Sequence, residues 1–253
     1  MLLLSKIFTG VLFALAGTSA SVFAAIPQSL KPEAHSRDTY GWAARHAAVL
    51  ERNKAIKPDY VFFGDSITHW WGGEPKCPVM PVVGADSWGR LFDGHCVTNC
   101  GFGFDYIDNA YYRAENGELD GIAPRVILVN LGTNNIGHRG DTAEVCGENM
   151  AAFVKLLREK SPQAKILLIG IYPRREMQLA GTIEKANLLY SALADGKHVF
   201  FINPGKRLLA DGKKTANPDF MRDRVHLNAA GYRVVAAGIA EKLKKIDPAY
   251  AGK

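Results

Sequence analysis

Three short stretches of this chain carry side chains suited to acyl transfer. Gly64-Asp65-Ser66-Ile67 follows an apolar run and sets a hydroxyl where a helix begins, so the partial positive charge of the helix end favours a developing negative charge. By itself that segment reads equally well as an ordinary capped turn. Gly132-Thr133-Asn134-Asn135 closes another apolar run with a side-chain amide of the kind that steadies a tetrahedral oxyanion, although a Gly/Asn turn is the plainer alternative. Asp223-Arg224-Val225-His226 spaces a carboxylate three residues before an imidazole, near enough for one turn of chain to let the aspartate orient the ring. Together the three stretches offer a hydroxyl, an amide and an Asp/His pair, the side-chain types that nucleophilic acyl transfer draws on.

Residues so far apart need a scaffold. From Asp59 onward, short β-rich runs alternate with longer stretches of helical periodicity, the pattern of parallel strands joined by helical crossovers. Strands are expected at Tyr60 to Phe63, His95 to Asn99, Arg125 to Leu131, Lys165 to Tyr172 and His198 to Asn203. Their near-continuous apolar character, as in Val126-Ile127-Leu128-Val129, fits a sheet covered on both faces. Helices are expected at about Tyr40 to Lys54, Tyr106 to Asn116, Asp141 to Lys160, Gly181 to Leu193 and Ala229 to Lys245. In the third, Asp141 and Thr142 are capping candidates, and Val145, Met150, Phe153, Val154 and Leu157 share one face. Open α/β sheets carry their reactive groups beyond the carboxyl ends of the strands, which is where Ser66 and Asn134 fall.

The serine, the asparagine and the Asp/His pair occur in the order and setting of SGNH (GDSL-like) hydrolases, and the chain resembles that family from about Tyr60 to Ala240. The blocks Asn99-Cys100-Gly101-Phe102-Gly103-Phe104-Asp105 and Asn116-Gly117-Glu118-Leu119-Asp120-Gly121-Ile122, with the Gly132 to Asn135 segment, resemble the catalytic subunits of platelet-activating factor acetylhydrolase and their bacterial relatives. The resemblance implies a three-layer α/β/α, flavodoxin-like fold with a five-stranded parallel sheet. It implies a Ser66-His226-Asp223 triad and ester hydrolysis without a metal or other cofactor. It also implies an oxyanion hole built from the Ser66 N–H, an N–H of the Gly103-Phe104 loop and the Asn134 amide. One departure stands out: relatives have glycine where this chain has Phe104, so the donor survives only if a residue with a side chain adopts the required backbone angles. The ring of Phe104 then walls the acyl pocket; the alternative is that it packs into the core and displaces the donor.

The expected substrate is a short acyl ester, with O-acetyl groups on carbohydrate favoured by the resemblance and by export. A lysophospholipase or thioesterase on longer chains is the rival enzyme reading. A catalytically silent carbohydrate-binding domain is the rival of another class, disfavoured because binding alone requires no nucleophile, base and amide donor. Trp70 and Trp71, one helical turn after the serine, offer flat faces to sugars or apolar groups, with core packing accounting for at least one. His69, His138, Arg174 and Arg175 receive no role.

Met1 to Ala24 combine Lys6, an apolar run from Ile7 to Ala16 and small residues around Val22-Phe23-Ala24, the build of a secretory signal peptide. That run falls short of the ~20 residues that cross a bilayer and no second one follows, so stable membrane insertion is not expected. Residues 25–253 are then a single exported domain, periplasmic or secreted. The formal charge of +6 is scattered rather than clustered, which speaks against nucleic-acid binding. Cys77, Cys96, Cys100 and Cys146 are free to pair in an oxidising compartment or to serve as small buried side chains; their spacing does not suggest zinc. Relatives of the acetylhydrolase group dimerise, but no surface stripe here establishes a homodimer.

Overall fold

The computed structural model describes residues 26–35 and 40–252, so Met1 to Ala24, expected to be a signal peptide, lie outside the described residues. Five parallel strands, β1 (Tyr60–Gly64), β2 (Val97–Gly101), β3 (Val126–Asn130), β4 (Lys165–Ile169) and β5 (Val199–Ile202), form one sheet in the order β2-β1-β3-β4-β5. Among the described residues seven α-helices accompany them: α1 (Trp42–Ile56), α2 (Ser66–His69), α3 (Ala85–Leu91), α4 (Ile107–Arg113), α5 (Ala143–Lys160), α6 (Met177–Ala192) and α7 (Ala229–Ile246). This is the α/β fold expected from the alternation.

Two cores follow from the two-residue period of a strand. On β1, Val61 and Phe63 pack with Val49 of α1, Ile107 of α4, Phe153 of α5 and Ile183 of α6. Tyr60 and Phe62 point to the opposite face and meet Trp88 and Leu91 of α3 and Val235 and Ile239 of α7. Central strands buried on both faces have no polar side to show, which is why they read as continuous apolar runs.

The sheet is shorter at its carboxyl edge than periodicity suggests. Leu131 and Ile171-Tyr172 were expected to continue β3 and β4, but side chains take over the pairing there. Asn130 Nδ2 donates to the carbonyls of Ile169 and Gly170, and Asn187 both accepts from Ile171 N–H (2.7 Å) and donates to its carbonyl (3.0 Å). Gly132 then turns the chain at φ 119°, where an added Cβ would collide with Ile171 and Tyr190. The same edge is thereby freed for loops that carry function. The helix expected over Tyr106 to Asn116 ends at Arg113 and runs into a wide turn, Ala114–Glu118, with Gly117 at φ 104°. Thr142 caps α5 by accepting from Val145 N–H, as its sequence indicates. All four cysteines are free, Cys100 and Cys146 inside the first core and Cys96 exposed.

Candidate active site

The turn from β1 into α2 is built around glycine and aspartate. A Cβ on residue 64 would lie 2.0 Å from Thr68 Oγ1, so only glycine lets the first turn of α2 fold back against its strand. Asp65 caps that turn by accepting from Ile67 N–H at 2.9 Å. Its burial pushes the carboxyl up to about 7. Ser66 is therefore the first residue of α2, just beyond the carboxyl end of β1, an interior strand of the sheet.

Asn99 ties the far end of this short helix to β2. Its Nδ2 donates to the carbonyls of Thr68 and Gly72, while Oδ1 accepts from Gly101 N–H. An asparagine within a buried strand is the signal that the sequence offers for this tie.

His226 arrives from the opposite end of the chain. Met221 and Leu227 bridge in antiparallel fashion and Arg222 N–H donates to His226 O, so the intervening residues form a closed loop beside α2. Within it, Asp223 Oδ1 accepts from the N–H groups of Val225 and His226, both at 2.7 Å. Asp223 Oδ2 is left to meet His226 Nδ1 at 2.7 Å, and His226 Nε2 lies 2.9 Å from Ser66 Oγ. The structure thus brings Ser66, His226 and Asp223 into one hydrogen-bonded line from separate ends of the sequence. Burial by itself would raise the Asp223 carboxyl, but the two loop N–H groups and the imidazole hold it below its usual range. At His226 burial wins: the ring sits below the usual histidine range even though Asp223 pulls upward, and Arg174 and Arg222 push the same way as burial.

The loop after β2 is clamped from several sides. Tyr40 Oη donates to Gly103 O, Gly103 N–H donates to His69 Nδ1, and Asn134 Nδ2 donates to Asp105 O at 3.1 Å. Beneath it, Asp105 is buried against Trp42 Nε1 and Arg113. His69 was given no role from sequence, yet it is a buried brace. Burial, with Arg45 and Arg113 nearby, takes it down to about 2, so it stays neutral and able to accept. Gly103 was named with Phe104 as a source of the loop's oxyanion donor; its N–H is instead engaged by His69. Phe104 adopts φ 65°, the left-handed region that glycine enters freely. Its side chain is 41 % exposed and meets His138 edge-on, which overturns the alternative that it packs into the core.

Of the paired tryptophans, Trp71 is core, donating its Nε1–H to Ser87. Trp70 is not: its indole stacks on the His226 ring, centroids 3.8 Å apart and planes 23° apart. Arg174 lies beside the crevice, ion-paired to Glu176 and reaching Thr133. Among the described residues no cluster of His, Cys, Asp and Glu has the makings of a metal site.

A hydroxyl in contact with an imidazole whose far nitrogen meets a carboxylate can be deprotonated as it attacks a carbonyl, which is the chemistry of ester hydrolysis. Comparisons with known proteins agree with it. The family model for GDSL-like lipases/acylhydrolases matches residues 62–234. Platelet-activating factor acetylhydrolase IB subunit alpha2 of Homo sapiens is 31 % identical over 209 residues, covering 81 % of this chain and 84 % of that one. The alpha1 subunit of Bos taurus is 29 % identical over 208 residues, covering 81 % and 83 %. A solved structure of a carbohydrate acetylesterase from Sinorhizobium meliloti superposes with a TM-score of 0.55 at 20 % identity, covering 74 % of this chain and 98 % of that one, a likeness of fold.

Proposed function

Because the chain belongs to the GDSL-like lipase/acylhydrolase family, and so is a carboxylic ester hydrolase, we propose that it cleaves short acyl esters, O-acetyl groups on carbohydrate foremost, through a Ser66 acyl-enzyme. The observation that carries this reading is the unbroken line from Ser66 Oγ through the His226 ring to Asp223. Ser66 attacks the acyl carbon while His226 Nε2 takes its proton; the same nitrogen returns the proton to the departing alcohol. Water then repeats the sequence on the acyl-enzyme, and the carboxylic acid leaves. The mechanism calls on no metal or other cofactor.

The oxyanion is held by the N–H of Ser66, the N–H of Phe104 and the Asn134 amide. Asn134 is buried and spends one amide hydrogen on Asp105 O, which fixes the plane of the amide and leaves its second hydrogen for the substrate. Replacing Asn134 by alanine should lower kcat by about 100- to 1,000-fold with KM little changed, because the donor is engaged chiefly once negative charge has formed. Steady-state kinetics on p-nitrophenyl acetate read that split.

Hydrolysis should also depend on His226 being neutral. Since burial sets its pKa below the usual range, activity should hold as pH falls through neutrality and decline only below about pH 6.5, the ordinary imidazole midpoint. A kcat/KM profile with its acid midpoint at or above that value would contradict this setting of the base.

Preference for carbohydrate acetates draws on the acetylesterase fold neighbour and on export. Export draws on the pattern of residues 1–24, with 25–253 as one mature domain. A screen of p-nitrophenyl esters of increasing acyl length beside acetylated xylose and glucose tests it. Rates should be highest for acetyl and fall steeply with length; rates that climb toward long chains favour a lysophospholipase or thioesterase instead.

A further inference from the structure

Within the serine-esterase reading above, we propose that Trp70 is a positioning residue whose indole face orients the His226 ring and stabilises its protonated form during turnover. Trp70 closes the short helix that Ser66 opens, its own N–H donating to Ser66 O. Nucleophile and stacking platform are thus one rigid turn, and any ring resting on Trp70 is registered against Ser66. The two planes lie 23° apart at a centroid separation of 3.8 Å, a face-to-face contact that leaves the edge of the imidazole free for Ser66 and Asp223.

The polar atom of the indole argues that the face is what matters. Trp70 Nε1 is buried with no hydrogen-bond partner among the described residues. An unpaired buried donor costs free energy that an aliphatic side chain in the same space would avoid, so packing alone does not account for tryptophan here. An electron-rich face against a ring that must become a cation does account for it. The other charged groups that face His226 are Asp223, which favours the imidazolium, and Arg174 and Arg222, which oppose it. Arg222 also lies 5.9 Å from the centre of the Trp70 ring. The indole offsets two arginines at the moment Ser66 hands over its proton.

Trp70→Leu keeps much of the volume and removes the aromatic face; Trp70→Phe keeps a face and removes the N–H. With p-nitrophenyl acetate, Trp70→Leu should lower kcat about 10- to 100-fold with KM within about twofold, and Trp70→Phe should recover most of that loss. The acid limb of kcat/KM should move to lower pH in Trp70→Leu, because the imidazolium loses its attraction while both arginines remain. An independent signature needs no turnover. The emission of the wild type less that of Trp70→Phe should fall on acidification with the midpoint of the acid limb, as imidazolium quenches the indole, and His226→Gln should remove that transition. A Trp70→Leu variant with wild-type kcat and an unmoved limb, or a Trp70→Phe variant as impaired as Trp70→Leu, overturns the proposal. So does an emission difference that ignores His226. A His226-dependent emission change in a protein whose Ser66→Ala variant keeps full activity would instead leave the stacking intact and sink the esterase mechanism.

Discussion

Replacing Ser66 by alanine is expected to lower kcat by about 10⁵- to 10⁶-fold, the scale on which hydrolases lose rate when the nucleophile of an interlocked triad is removed. The loss is that large because alanine leaves His226 without the hydroxyl it is placed to activate. The described hydrogen bond of His226 Nε2 is to Ser66 Oγ, and the proposed backbone donors and Asn134 would be left with an oxyanion that no longer forms readily. Those donors remain in Ser66→Ala, so the residual rate should exceed that in water. Asp223→Asn should cost about 10⁴-fold, since an amide no longer selects the tautomer that leaves Nε2 free to accept. Its Oδ1 contacts to Val225 and His226 N–H are available to an amide oxygen, so the loop itself should hold its shape. Labelling by a fluorophosphonate reads the same chemistry without a substrate. If wild type and Ser66→Ala label alike, Ser66 is not the nucleophile.

The second large effect is on stability. Arg113 is wholly buried, its guanidinium 3.0 Å from Asp105, 2.5 Å from Glu118 and 3.2 Å from the Cys100 carbonyl, with its flat face 3.9 Å from the centre of the Phe102 ring. Glu118 would be raised by its burial, but Arg113 and His46 hold it below the usual carboxylate range. Removing the arginine strands two carboxyl groups in the core beside each other. Arg113→Met should therefore cost about 3–5 kcal/mol, read as a lower urea midpoint. The sign of its pH dependence is fixed. Without the arginine the folded carboxyls titrate above their unfolded values, so the deficit should shrink as pH falls and they become neutral, and grow as pH rises. A deficit independent of pH would show that the loss is one of packing alone. Because Asp105 underlies the loop that carries Phe104, kcat should fall alongside stability.

Much of this was written locally. Apolar runs flanked by turn residues specify strands because a strand buried on both faces tolerates little else, and the Asp-x-x-His spacing fixes its own geometry within one loop. The Gly64-Asp65-Ser66 turn is likewise local: glycine for the close approach of Thr68, aspartate for the cap, serine at the helix start. What no window of sequence contains is the meeting of Ser66 with His226, 160 residues apart, which depends on α7 packing on the second core and presenting the loop before it to α2. The same holds for the fate of ambiguous side chains. Trp70 and Trp71 are identical neighbours, yet one is core and the other faces the imidazole. His69 became a buried acceptor for Gly103, and Phe104 took a left-handed backbone angle with its ring at the surface. Local sequence determines which conformations are cheap, through propensity, capping and apolar periodicity. Which polar atoms must find each other is decided only when burial removes water as the alternative partner, and that happens in the tertiary structure.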